Sequence, residues 1–193
     1  ALEANTASGN TAVGHQALKA NTSGSGNIAL GKNALLSNTT GIQNVAVGQN
    51  SLDANTTSSN NVAVGHEALG ANTSGSKNTA VGKGSLASNT GGEEHVAVGM
   101  NALESNIGGN RNVAVGYYAA YNNTTGDNNT TLGRETLYYN TSGSGNIAIG
   151  KNALTSNTTG NYATVIGMNA ALVTTTADYT TAVGYEALKD QTS

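Results

Sequence analysis

The sequence predicts an all-β protein, a parallel β-solenoid (β-roll) built from 17-residue coils. Three observations lead there. Glycines stand at 14, 31, 48, 65, 82, 99, 116, 133, 150, 167 and 184, a constant step of 17 residues. The residue before each is aliphatic: Val13, Leu30, Val47, Val64, Val81, Val98, Val115, Leu132, Ile149, Ile166 and Val183. Each glycine closes a short apolar stretch rich in Val, Ile and Thr, which is strand composition. A short fixed period marks a solenoid in which each repeat is one coil.

The repeated phrase is Asn27-Ile28-Ala29-Leu30-Gly31-Lys32-Asn33-Ala34-Leu35, returning as Asn44 to Leu52 and Asn61 to Leu69. A helical reading would place a glycine inside every copy, at roughly 1 kcal/mol each. The Ala-Leu pair that follows is too short for an independent helix. Two short strands per coil, joined by tight Gly and Asn turns, are therefore expected. Stacked coils about 4.8 Å apart would form parallel sheets and a rod on the order of 50 Å long.

Leu stands four residues after the glycine, except at Ala120 and Ala171, and the residue before it is always Ala, Ser or Thr. One asparagine column is Asn10, Asn27, Asn44, Asn61, Asn78, Asn112, Asn129 and Asn146; a second is Asn21, Asn38, Asn55, Asn72, Asn89, Asn106, Asn123, Asn140 and Asn157. Asn tolerates left-handed turns, and stacked amides can bond from coil to coil. The second column is read as a structural ladder. Glycines at 24, 41, 75, 92, 109, 126, 143 and 160 supply a further turn. Residues 1-193 read as one solenoid domain, eleven coils plus a partial first one. The pattern loosens at 1-9 and 163-193, where Ala163, Thr174 and Thr180 replace Asn and Ala177 replaces Gly. The chain begins at Ala1-Leu2 without Met, and a segment of a longer fibre is expected, with neighbouring domains or end-to-end assembly covering its coil edges.

Alternate strand residues face opposite sides. Val45 and Val47 share one face; Ala46 and Gly48 share the other. Neither face is polar, whereas a sheet wet on one side alternates apolar with polar. The expectation is that the coil's own Leu covers one face and another chain covers the other. Small residues permit close approach, so Ala29, Ala46, Ala63, Ala80, Ala97, Ala114 and Ala148 are candidate interface positions in a homo-oligomer, expected to be a trimer. A monomeric solenoid, with Ala and Gly merely fitting tight bends, is the alternative.

The 193 residues include 8 Lys and Arg, 11 Asp and Glu, no Cys, and carry a net charge of -3. That balance lacks the basic surface a nucleic-acid partner requires. Without cysteine there are no disulfides or thiolate metal sites. No run approaches the ~18 apolar residues of a membrane helix. His15 and His66 share a column three coils apart, and His95 sits in an asparagine column. No nucleophile–base pair or paired carboxylates can be assembled, and glycines follow the coil period instead of a phosphate-loop spacing. No enzyme, metal or cofactor is expected.

The residue after each glycine is long and never acidic: His15, Lys32, Gln49, His66, Lys83, Met100, Tyr117, Arg134, Lys151, Met168 and Tyr185. It reads as an outward ridge. Tyr117, Tyr118, Tyr121, Tyr138 and Tyr139 cluster in adjacent coils, and Tyr162 and Tyr179 form a second pair. Exposed tyrosines can stack on sugar rings or anchor a partner, or simply stack on each other. Asn-x-Ser/Thr occurs at seven ladder positions, which an inward ladder would shield from glycosylation. The Thr column at 22, 39, 56, 73, 90, 124, 141 and 158 raises ice binding as a rival function, although a parallel second Thr rank is missing.

The phrase Asn-x-Ala-Val/Ile-Gly-x-x-Ala/Ser, carried by Asn44 to Ser51 and Asn146 to Ala153, resembles the head repeat of YadA-type trimeric autotransporter adhesins. With Ala-Leu and Asn-Thr-Thr-Gly it is also similar to repeats of bacteriophage tail fibres. The resemblance implies a left-handed, trimeric β-roll segment used for attachment, extracellular, on a cell surface or virion. The 17-residue coil is longer than that of the adhesin head. The expected function is a structural and adhesive fibre segment whose partner is itself, with a host glycan or receptor as a possible ligand of the tyrosine patch.

Overall fold

A computed structural model describes residues 1–176 and 178–191. Eleven three-residue strands follow in chain order: β1 Thr11–Val13, β2 Ile28–Leu30, β3 Val45–Val47, β4 Val62–Val64, β5 Thr79–Val81, β6 Val96–Val98, β7 Val113–Val115, β8 Thr130–Leu132, β9 Ile147–Ile149, β10 Thr164–Ile166 and β11 Thr181–Val183. They form one parallel sheet in sequential order. Register is constant: Val45 pairs with Val62, Ala46 with Ala63, Val47 with Val64. Coils are numbered below by their strand. The chain is a β-solenoid. No helix among the described residues is long and apolar enough to cross a membrane.

Each coil has one strand, not the two expected. The second wall, from the corner glycine through the Leu, is a chain of turns with left-handed residues at its second and fourth positions. In coil 3 these are Asn50 (φ 55°) and Leu52 (φ 51°). The wall still stacks because its amides alternate in direction. Asn50 N–H donates to Lys32 of the coil before (3.0 Å) and Leu52 N–H to Ala68 of the coil after (3.0 Å). Backbone polarity is thus satisfied between coils without an extended conformation. The sequence offered β-compatible residues here but no cue that Leu adopts positive φ, which bulky residues rarely do.

The interior is thin. Ala29, Ala46, Ala63, Ala80, Ala97, Ala114 and Ala148 are fully buried within their own chain, against the Leu column of the opposite wall. This corrects the interface assignment: the Ala column points inward and is closed to another chain. The flanking columns, represented by Val45 and Val47, point outward. The buried apolar cluster is interrupted between Ala120 and Leu137, where buried Thr131 and Thr136 turn their hydroxyls to the Val113 and Gly133 carbonyls (3.2 and 3.0 Å).

The terminal coils keep the architecture among the described residues. Asn5 Oδ1 accepts from Asn21 (2.7 Å) and Asn10 (3.0 Å). Near the other end, Ala163 still donates its amide to Asn146 Oδ1 (2.9 Å), and the Thr174 hydroxyl donates to the Gln191 carbonyl (3.0 Å). Ala177 lies outside the described residues.

Candidate functional site

Both asparagine columns are internal ladders. In the second, Asn38 Nδ2 donates to Asn21 Oδ1 (2.7 Å), Asn55 to Asn38 (2.8 Å), and so on to Asn157 with Asn140 (2.8 Å). Asn72, Asn89, Asn106 and Asn123 bridge the coils between. Each amide also bonds the carbonyl three residues on, as Asn38 does to Gly41 (3.1 Å). A Cβ on Gly41 would lie 2.4 Å from Asn38 Oδ1, so this ladder explains the glycine column. Ser58 fills that column once, and its hydroxyl joins the ladder by accepting from Asn61 and Asn72 (3.2 and 3.1 Å). The nine ladder asparagines are fully buried, which encloses the seven Asn-x-Ser/Thr side chains of this column.

In the first column, Asn44 donates its amide to Asn27 Oδ1 (3.0 Å), and Asn27 Nδ2 donates to the Gly41 carbonyl (2.8 Å). His95 takes one such place. Its Nδ1 accepts the Asn112 amide (3.1 Å), and Nε2 faces the Gly109 carbonyl and lies 3.2 Å from Asn106 Nδ2. Burial pushes its pKa down, against the opposing pull of the Gly109 carbonyl and Asp127. His66 Nδ1 lies 3.5 Å from a Glu67 carboxylate oxygen, but no group of three or more potential metal-ligating side chains exists among the described residues.

The Thr column sits in a turn beside the ladder. Thr22, Thr39, Thr124 and Thr141 donate their hydroxyls to the carbonyl of the next coil's Thr, at 2.9 to 3.0 Å in the Thr124 and Thr22 bonds. These protons serve the stack.

Two surfaces remain. The outward sheet face carries Ile28 and Leu30, Val45 and Val47, Val62 and Val64, Val96 and Val98, and their counterparts in every coil, interrupted only by Thr at 11, 79, 130, 164 and 181. None is charged. Leu30 is 47% exposed, Leu132 50% and Val183 66%. Taking strands ~4.8 Å apart and a width of about 10 Å, the stripe covers on the order of 500 Å².

The second surface is the tyrosine cluster after the corner glycines of coils 7 and 8. Tyr121 and Tyr138 stack, with centroids 5.2 Å apart and planes 13° apart. Tyr118 meets Tyr117, Tyr121 and Tyr138 edge-on, and Tyr139 meets Tyr138 edge-on. The Arg134 guanidinium lies 5.6 Å from the Tyr117 ring centre and bonds Glu135 at 2.9 Å. The Glu104 charge holds the Tyr121 phenol above its ordinary pKa, burial does so for Tyr138, and a hydrogen bond with Tyr118 for Tyr117. A hollow of about 370 Å³ opens among Tyr118, Glu135, Tyr138, Tyr139 and Thr155. A second, of about 360 Å³, lies among Asn50, Asp53, Glu67, Gly70, Ala71 and Ala87. Both occupy the same columns, so the groove belongs to the coil and its lining to the sequence. Glu135 was not singled out from the sequence; its column, two residues after glycine, also holds Asn, Gln and Gly, and nothing there signals a hollow. Tyr162 and Tyr179 stack separately, 5.4 Å apart.

Fold and surfaces together define a β-solenoid repeat protein with one apolar flank and one aromatic cleft. Comparison with protein-family models, with curated proteins and with solved structures gives no match.

Proposed function

We propose that this chain is a stiff segment of an extracellular attachment fibre, on a cell surface or virion, assembled as a homotrimer through the outward face of its sheet. The observation that carries the reading is the uncharged Val, Ile and Leu stripe along all eleven strands. A contiguous apolar patch of this order lies within the range of the largest patch on a typical monomer, and such patches are often interaction sites. Two such stripes in contact bury on the order of 1,000 Å², the lower bound of a specific interface. The stripe runs parallel to the rod, so copies related by an axis along it close into a ring and remain co-directional along the fibre. The resemblance to adhesin and tail-fibre repeats favours three copies. The work of such a segment is mechanical: in-register ladders resist bending and space an attachment tip. Ice binding is disfavoured by the internal use of the Thr hydroxyls.

Sedimentation equilibrium tests the proposal. The expected mass is three times the 19.2 kDa of the chain. Val64→Lys with Val98→Lys, both on the outward face, should give single chains with retained β-structure. A parent that sediments as one chain at micromolar concentration overturns the proposal.

A further inference from the structure

We infer that the hollow spanning coils 7 to 9 is a binding site for a neutral saccharide. The first argument is that folding does not call for its tyrosines. The equivalent hollow in coils 3 to 5 is lined by Asn50, Asp53, Glu67, Gly70, Ala71 and Ala87, and those coils stack in the same register. The chain has 8 Tyr and no Phe or Trp. Five of those eight are gathered in coils 7 and 8, where the buried apolar core is interrupted.

The second argument is the chemistry of the lining. The lining combines three tyrosines, Tyr118, Tyr138 and Tyr139, which bring ring surface and phenol hydroxyls, with the carboxylate-bearing Glu135 and the hydroxyl-bearing Thr155. Thr155 donates its proton to the Glu135 carbonyl (2.9 Å), so its oxygen remains an acceptor. A ligand suited to this has C–H faces for the rings and donor hydroxyls at its rim, which describes a pyranose. The Glu135 charge is matched by Arg134 at 2.9 Å, so the site has no net charge to offer an acidic sugar. A volume of about 370 Å³ stands near the lower end of the ~300–1,000 Å³ usual for small-ligand sites, and fits one or two sugar units.

The test is binding of the full chain to an array of neutral hexose, N-acetylhexosamine and sialylated oligosaccharides, followed by calorimetric titration of any hit. A neutral oligosaccharide should bind. Tyr138→Ala should weaken it about tenfold, as loss of an aromatic contact of ~1.4 kcal/mol predicts, and Tyr179→Ala should leave it unchanged. Tyr139→Ala, at an exposed rim position, should also weaken binding and keeps the test valid if Tyr138→Ala fails to fold. Retention of sialylated glycans only, of no glycan, or of a neutral glycan whose affinity neither substitution alters overturns the inference. Sedimentation of the same samples reports assembly separately, so the fibre reading stands or falls on its own.

Discussion

Acid should loosen the rod at coil 6, through His95. Elsewhere in that column an Asn accepts the amide one coil on and donates to the carbonyl fourteen residues on, as Asn129 Nδ2 does to Gly143 (2.9 Å). His95 reproduces this as a neutral ring. Nδ1 accepts from Asn112 (3.1 Å), which leaves the proton on Nε2, facing the Gly109 carbonyl. A second proton would have to sit on Nδ1, directly opposite the Asn112 N–H. The ring is 1% exposed, so water cannot compensate. Losing that bond while leaving a buried donor unpaired costs about 1–3 kcal/mol. Burial depresses the folded-state pKa, whereas the unfolded ring titrates near ~6.5. The contribution is therefore complete above the unfolded value and is lost as pH falls from there toward the folded one. Asp127, whose charge favours the protonated ring, moderates the effect. Hydrogen exchange, expressed as protection factors at pH 7 and pH 5, measures it locally. The Asn112 amide should lose protection, while the Asn61 amide, held by Asn44 Oδ1 (3.0 Å), should not. His95→Asn should abolish the difference. Equal protection of Asn112 at both pH values, or a pH response that survives His95→Asn, would refute the reasoning.

Gly82→Ala should cost about 3 kcal/mol, because φ is +136° and the new Cβ would lie 2.4 Å from the Gly99 carbonyl oxygen; a melting temperature within a degree of the parent would count against the geometry. Asn55→Ala removes donors to Asn38 Oδ1 (2.8 Å) and the Ser58 carbonyl (3.1 Å) and should destabilise by about 1–3 kcal/mol per unpaired buried group, read from denaturant midpoints. If the outward stripe is covered by copies of the chain, the melting temperature should rise with chain concentration; a constant value over a hundredfold range would argue for a self-sufficient monomer.

The period, the strand positions and the asparagine ladder were legible because each is written into identical residues at fixed spacing. Asn21 to Asn157 have one role, repeated. The direction of the sheet was not legible. Alternation states that Val45 and Val47 share a face and Ala46 and Gly48 the other, without stating which is inside. The usual expectation places the larger aliphatics within. Here the two walls are so close that the opposite wall's Leu52 already fills the space, and a small residue fits beneath it: Ala in most coils, Thr131 opposite Leu137, and the larger Val165 only where Ala171 replaces Leu. The second wall was misread as a strand for a related reason. Ser51-Leu52 contains no glycine, and the positive φ of Leu52 accompanies backbone bonds between coils, Leu35 N–H to Ser51 and Leu52 N–H to Ala68, which no local preference signals. The tyrosine cluster was visible as composition; its hollow, with Glu135 as a wall, needed the fold.

That inversion bears on how such a coil is stabilised. Most turns place one Leu and a few small residues in the interior, Ala120 and Ala171 standing in for Leu in two others, while one or two larger aliphatics per turn stay outside. Left-handed backbone at Leu52 and its counterparts costs roughly 1–2 kcal/mol each, in every coil. The ladders offset this only while coils are stacked, since Leu52 N–H has its partner, Ala68, in the next coil. Stability is therefore a sum over neighbouring contacts, as in other solenoids, with little of it held inside a single turn. A chain built this way gains most from covering its outward Val, Ile and Leu columns, because burying them adds apolar contact without adding backbone strain. In the proposed assembly of identical rods, those outward columns are where added burial would contribute most, since the interior already holds most of its Leu and Ala columns at full burial.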